Sequence, residues 1–284
     1  MLDKLRAHAL GELPEDFVGY LGYGDGTNFD GRVCRFLHVP FEAVVERTNA
    51  GLSDDEILAW AFEAGRKPSE QEIEVFTGFL TKRGWRDQAS AELRKFAIED
   101  GFPPEEIATF PDLHDREEGR PARFAPDVTP FLGKVKASAI IEGLRSPYDK
   151  VGGIVHFGRM LDKIRLHDTG HLPEPWVKSK GANPSFDQVT CAFLNVNYDD
   201  LARRVLDGGS DDEVLAWAFE NGRKPNDEEA LIWNAYMVKR SWRDQYTARL
   251  YFRLEEAGMP AGAAYTMFDY IDLDEGRRLK EYPY

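Results

Sequence analysis

A segment of sixteen residues that occurs twice constrains the fold of this chain more than any other feature. Residues 53–68 return as residues 210–225, and only two of the sixteen positions differ. The same shift of 157 residues matches Trp-Arg-Asp-Gln at 85–88 to 242–245, and a shift of 159 matches Met-Leu-Asp-Lys at 1–4 to 160–163. Chance does not produce such self-similarity, so the sequence encodes one domain twice.

The repeat sets the expected domain boundaries. Copy 1 covers residues 1–119, copy 2 covers residues 144–284, and a linker at 120–143 contains Pro121, Pro126 and Pro130, which favour an extended chain. Copy 2 opens with a segment, 144–159, that has no counterpart in copy 1, whose first residue matches Met160. We expect either that the true start lies upstream of Met1 or that copy 1 lacks this element.

Helix signals dominate both copies. Capping boxes, in which a Ser or Asn is followed three residues later by Glu, are predicted at Ser53, Ser69, Ser210 and Asn226. Apolar residues then recur at helical spacing, and strand-like alternation is hard to find. A further helix is expected from about Arg86 to Asp100, with its partner from Arg243 to Ala257. The sequence predicts an all-α protein with around five helices per copy, the two homologous helical domains in tandem being related by a pseudo-twofold axis.

Composition and charge limit the class of partner. The formal charge of −14 opposes binding to phosphate backbones, so nucleic acid is not expected. Neither a membrane-spanning run nor a signal peptide is present in the sequence, and the two cysteines form no disulfide framework or metal motif. We expect a cytoplasmic protein with two cores that pack on each other, and a small molecule as the candidate ligand. Further oligomerisation stays open.

Three motifs of copy 2 are specific as a set, although each is weak alone. They are Leu-Arg-Ser-Pro-Tyr followed by Gly152-Gly153, Arg-Met-Leu-Asp-Lys-Ile-Arg at 159–165, and Ser-Asp-Asp-Glu-Val-Leu-Ala-Trp at 210–217. Together they resemble a small bacterial family known only as domain of unknown function 5069. The resemblance spans essentially all of copy 2, and copy 1 from Met1 onward. It implies no established reaction, so it transfers no catalytic residue to this chain.

The densest polar cluster lies in the first shared helix of each copy: Asp162, Arg165 and His167 in copy 2, and Asp3, Arg6 and His8 in copy 1. A histidine exchanges protons near neutral pH, while an adjacent acid and an arginine orient it and bind an anion. The alternative is a solvated helix face with ordinary ion pairs. A metal site at His167 and His171 is not favoured, because Gly170 interrupts the helix that would align them.

Two other polar groups are candidates. Arg86, Arg243 and Asp244 lie near tryptophan, where a guanidinium group could bind a carboxylate or phosphate, and the alternative is a helix-start motif. Asp30 and Asp187 precede Cys34 and Cys191 by four residues. A reactive thiol would need a neighbouring base, and the alternative is a small buried thiol.

Two functional hypotheses follow. In the first, the chain is an enzyme for small molecules that performs proton transfer without a redox cofactor or metal, using Asp162, Arg165, His167 and Asp187, with Arg243 and Asp244 binding an anion. In the second, it is a helical module that binds a ligand or a protein without catalysis. A concave pocket where His167, Asp187 and Cys191 converge would favour the enzyme, and a flat apolar patch would favour the module.

Overall fold

The computed structural model describes residues 1–24, 26–121, 123, 135–182 and 184–280. The protein is all-α: 56 % of it is helical, in 16 helices over the described residues, with one sheet of two short strands. Copy 1 contributes α1 (Leu2–Leu10), α2 (Glu15–Val18), α3 (Phe29–Leu37), α4 (Phe41–Asn49), α5 (Asp54–Ala64), α6 (Glu70–Thr81), α7 (Ser90–Glu99) and α8 (Phe110–Glu117), with a 3-10 turn at Pro104–Glu106. Copy 2 contributes strands β1 (Lys150–Val151) and β2 (Ile154–Val155), then α9 (Phe157–Asp168), α10 (Glu174–Val177), α11 (Phe186–Leu194), α12 (Tyr198–Leu206), α13 (Asp211–Asn221), α14 (Asp227–Val238), α15 (Thr247–Glu256) and α16 (Met267–Asp274).

The predicted capping boxes are confirmed. Ser53 begins α5, its N–H donating to the Glu56 carboxylate at 2.8 Å while the Glu56 N–H donates back to the Ser53 hydroxyl at 3.3 Å. The other three predicted boxes close in the same way at α6, α13 and α14. These local bonds satisfy N–H groups that a helix start leaves open, which explains why matched helices begin at matched residues.

The expected count of five helices per copy was too low, because each copy holds eight α-helices within the described residues, some of only four residues. The helix predicted from Arg86 starts at Ser90 instead. The Asp87 carboxylate accepts the backbone N–H groups of Gly84 and Ala89, and this turn holds Arg86 in the left-handed region with φ of 49°. A helix cannot include that conformation.

The chain divides into two compact units, Met1–Leu80 and Thr81–Tyr284. The first unit buries a core of six residues, Leu5, Cys34, Val39, Val44, Ile57 and Ala61. In the second unit α9 packs on α12, α10, α11 and β1, and α15 packs on α16. The domain boundaries drawn from the repeat stay a prediction, and the linker prolines Pro126 and Pro130 lie outside the described residues.

Within the second unit, matched residues of the two copies contact each other. The rings of Trp85 and Trp242 stack at 3.7 Å between centroids, with an interplanar angle of 4°. Two buried lysines each bind an aspartate of the other copy. Lys82 Nζ lies 2.5 Å from Asp244 Oδ2, and Lys239 Nζ lies 2.5 Å from Asp87 Oδ2. Each contact recurs with the two copies exchanged, which is the signature of a pseudo-twofold relation between these segments.

None of the helices within the described ranges combines the length and the apolar character that crossing a membrane requires.

Candidate functional site

The β-hairpin at the start of copy 2 places a histidine in an unusual conformation. Gly152 and Gly153, both with positive φ, form the two-residue turn between β1 and β2. The Asn234 amide of α14 fixes the hairpin by accepting the Val155 N–H at 3.1 Å and donating to the Gly153 carbonyl at 2.7 Å. His156 follows as the residue before α9, with φ of 66°. A non-glycine residue in this region carries strain of about 1–3 kcal/mol, which persists where surrounding contacts impose it.

His156 contacts a buried carboxylate and, through it, a lysine. Its Nε2 lies 2.9 Å from Asp187 Oδ1, and Lys163 Nζ lies 2.6 Å from both carboxylate oxygens. The Gly181 N–H donates to Asp187 Oδ2 at 3.0 Å. The three side chains are buried, so this is a desolvated His–Asp–Lys cluster drawn from the N-terminus of α9, its second turn and the first turn of α11.

The charges of this cluster follow from its burial. Burial lowers the pKa of His156 to about 4, outweighing the opposite effect of Asp187. Burial alone would raise the pKa of Asp187, but Lys163 and His156 hold it below its usual range. Asp187 is therefore an acceptor only, and the neutral His156 ring must donate from Nε2. That assignment leaves the lone pair on Nδ1, and Nδ1 has no hydrogen-bond partner within the described structure.

A cavity of about 570 Å³ adjoins the cluster, with His156 and Lys163 in its wall. This volume lies within the usual range for small-molecule sites, roughly 300–1,000 Å³. Apolar and aromatic residues form much of the wall, among them Trp176, Phe186, Tyr246 and Tyr270. Arg240 also lines the cavity, its guanidinium 3.8 Å from the Tyr246 ring centroid.

Glu275 also lines the cavity. Its carboxylate accepts hydrogen bonds from Arg159, Arg277 and the Trp176 indole, the last at 2.8 Å. Burial alone would raise the pKa of Glu275, but the two arginines and Trp176 hold it below its ordinary value. The carboxylate is thus ionised and saturated with donors, and it holds Trp176 in place against the cavity.

Two of the copy 2 residues expected to form one cluster on α9 belong to one ion-pair network, because Arg145 binds both Asp162 and Asp211, and Asp211 also binds Arg165. Asp162 is buried and accepts from Arg145 Nε and Nη2, each at 2.6 Å, whereas Arg165 binds Asp211 at 2.7 Å. His167 is exposed. Neither His167 nor Asp187 nor Cys191 lines the described cavity, although Asp187 lies directly behind His156 and Lys163.

The matched residues of copy 1 follow a similar pattern in the first unit. Arg6 binds Asp54 at 2.5 Å and Asp3 at 3.3 Å, and both Asp3 and His8 are exposed. Asp30 is buried, with Lys4 Nζ 2.9 Å from its Oδ2. The pair Lys4 and Asp30 therefore reproduces the pair Lys163 and Asp187.

Both cysteines lie in apolar surroundings. Burial raises the pKa of Cys34 to about 11 and that of Cys191 to about 12. The Sγ atom of Cys191 lies 3.8 Å from the Met160 sulfur. A thiol that stays protonated at neutral pH is a poor nucleophile, and this arrangement favours the packing role.

The candidate anion-binding residues beside tryptophan have internal partners in the second unit. Arg86 binds Asp269 and Arg243 binds Asp112, each at 2.8 Å, while Asp244 binds Lys82. Each of these partners comes from the other copy, so these residues hold matched segments together. Whether they also bind a ligand stays a prediction.

Sequence reasoning missed His156, Lys163 and Arg240. The segment 144–159 was recognised as specific to copy 2, and its Gly-Gly pair between β-branched residues is a hairpin signal. That signal could have drawn attention to the histidine directly after the hairpin.

Comparison with known proteins places the whole repeat in one family. A family model described as Domain of unknown function (DUF5069) matches residues 1–120 and again residues 141–277. No curated protein matches the chain.

Proposed function

The chain belongs to DUF5069, a family whose description names no reaction, and we propose from the site alone that it is a small-molecule enzyme in which His156 accepts a proton from its substrate. One observation carries this proposal: the neutral His156 ring lines a cavity, donates from Nε2 to Asp187, and has no partner for Nδ1 among the described residues. A buried acceptor without a partner costs about 1–3 kcal/mol, and a substrate in the cavity would supply the missing donor.

The chemistry assigns a role to each member of the cluster. The proton leaves a carbon or heteroatom of the substrate and goes to His156 Nδ1, and its bonding electrons stay on the substrate. Asp187 fixes the tautomer of His156 and stabilises the imidazolium that forms, as a carboxylate does behind a catalytic histidine. Lys163 keeps Asp187 ionised. The proton then returns to the product or to water, so the reaction needs no redox cofactor.

Because burial lowers the pKa of His156 to about 4, the ring is in its base form at neutral pH. The proposal gives the base role to His156 instead of the exposed His167. Asp187, which the sequence predicted to take part in proton transfer, acts in this proposal through His156.

The test compares His156→Gln with His167→Gln, a matched control on the exposed end of the same helix. Each protein is incubated with a metabolite extract in D₂O, and mass spectrometry records deuterium uptake and changes in abundance. We expect the wild type and His167→Gln to change at least one metabolite that His156→Gln leaves unchanged. Circular dichroism melts of the three proteins check that folding is retained.

If the wild type changes no metabolite, or if His156→Gln acts like the wild type, the catalytic proposal is wrong. In that case the non-catalytic hypothesis of a ligand-binding or interaction module stands in its place.

A further inference from the structure

The charge of the cavity wall differs in sign from the charge of the protein. The chain carries a formal charge of −14, yet five cationic side chains line the cavity against two carboxylates, Asp274 and Glu275. The cations are Arg159, Lys163, Arg240, Arg249 and Arg253. A cationic concave wall on an acidic protein concentrates anions locally and repels cations.

Three of these cations have carboxylate partners. Arg159 binds Glu275, Lys163 binds Asp187, and Arg253 binds Glu256 at 2.5 Å. They contribute little net charge to a ligand.

The Arg249 side chain is different. It is exposed, it lines the cavity, and over the described ranges it forms no ion pair or side-chain hydrogen bond. It lies on α15 three residues after Tyr246, which precedes that helix. Both side chains line the cavity, and the Tyr246 ring lies against the Arg240 guanidinium. Arg249 is therefore the cation at this wall with charge available to a ligand.

The repeat supports a role specific to copy 2. At the shift of 157 residues, Arg249 corresponds to Glu92, Arg253 to Phe96 and Tyr246 to Ala89. The helices α7 and α15 share their length and position in the repeat, so the fold does not require a basic residue at these positions. The Arg249 guanidinium and the Tyr246 ring are therefore specific to copy 2 at these positions of the repeat.

We propose that the cavity binds a small organic oxyanion, a carboxylate or a phosphate ester, whose charged group is bound by Arg249 and whose carbon skeleton packs on the aromatic wall. A guanidinium group matches both oxyanions with two parallel hydrogen bonds. Trp176, Phe186 and Tyr246 supply flat apolar surface for the remainder of the ligand. This inference rests on the proposed function for the site, and it names the substrate class.

Binding of three probes tests the inference on the full chain. Benzoate and phenyl phosphate present the two oxyanions on a flat ring, and benzamide is the neutral counterpart of benzoate. Titration calorimetry compares the wild type with Arg249→Gln, with the conservative Arg249→Lys, and with Arg203→Gln as a control on the exposed face of α12. All four proteins are first checked for equal melting temperature.

We expect at least one of the two anions to bind the wild type and Arg203→Gln alike, and to bind Arg249→Gln about tenfold more weakly, with partial recovery in Arg249→Lys. Tighter binding of benzoate would indicate a carboxylate ligand, and tighter binding of phenyl phosphate would indicate a phosphate ester. Benzamide binding as tightly as benzoate, an unchanged affinity in Arg249→Gln, or no saturable binding of either anion would overturn the inference.

The two proposals fail separately. His156→Gln is expected to retain anion binding, because Nδ1 receives a proton and does not bind the charged group. Anion binding without proton transfer would overturn the proposed catalytic function and show that the protein binds oxyanions. Turnover of neutral substrates only would overturn the oxyanion inference and retain His156 as the proposed base.

Discussion

The same lysine–aspartate pair occurs once in each copy, and its surroundings differ. In copy 1, Lys4 approaches one oxygen of Asp30 at 2.9 Å and its side chain is 28 % exposed. In copy 2, Lys163 approaches both oxygens of Asp187 at 2.6 Å and is 5 % exposed. The shared pair belongs to the repeated fold, because both units contain it. What distinguishes copy 2 is the hairpin and His156 that pack over the pair and turn an ion pair into part of a desolvated cluster beside a cavity.

Residues matched by the repeat therefore need not have the same partners or the same burial. Asp187 accepts from His156, whose other nitrogen has no hydrogen-bond partner in the described part of the chain, whereas the described contacts of Asp30 include no histidine. Replacing residues in each copy measures how far the surroundings of the lysine–aspartate pair, and not its residue types, determine its contribution to stability.

Neutralising the aspartate should have the largest effect, and it should differ strongly between copies. Asp187→Asn leaves Lys163 buried without a counter-charge, which lowers the free energy of unfolding by about 3–5 kcal/mol. Asp30→Asn should lower it by about 1 kcal/mol, because the partly exposed Lys4 can turn to water. Urea denaturation of both variants measures the two values, and equal losses would show that the surroundings of the pairs are energetically alike.

Acid should destabilise copy 2 through His156. In the folded protein the pKa of His156 is about 4, whereas an exposed histidine has a pKa near 6.5. As the pH falls, the unfolded chain therefore binds a proton at His156 before the folded protein does. The contribution of the neutral His156 to the free energy of unfolding is complete above about pH 6.5. It is lost as the pH falls from there towards 4, with a total on the order of 3 kcal/mol. Urea midpoints between these pH values should fall less steeply for His156→Gln than for the wild type, and parallel curves would contradict the assignment.

Replacing Asn234 by the residue that copy 1 has at the matched position should have the smallest effect. Asn234→Thr, after Thr77, removes the amide that holds the hairpin at Val155 and Gly153, at a cost of about 1 kcal/mol. Hydrogen exchange at the Val155 amide should become faster while exchange in α13 stays unchanged. Equal protection in both proteins would mean that the hairpin holds its conformation without Asn234.

Part of the candidate site could be predicted from the sequence, and part could not. Asp187 was singled out because the repeat matches it to Asp30, and the structure places it at the start of α11. Asp162 and Arg165 were expected to pair because they lie three residues apart on one helix. The Arg145 guanidinium contacts Asp162 through two nitrogens instead, and that bidentate geometry is stronger than a single contact along the helix. Arg145 lies 17 residues away, where helical spacing gives no information.

The duplication, the helical class and the starts of the four helices with capping boxes follow from the sequence alone. These features depend on interactions within a few residues, such as the reciprocal bonds at Ser53 and Ser210, so identical local sequence produces identical local structure. The meeting of His156, Lys163 and Arg240 at one cavity depends on the tertiary structure, because contacts between distant residues depend on how whole helices pack. The same packing removes water from the His–Asp–Lys cluster, and this desolvation lowers the pKa of His156 and of Lys163.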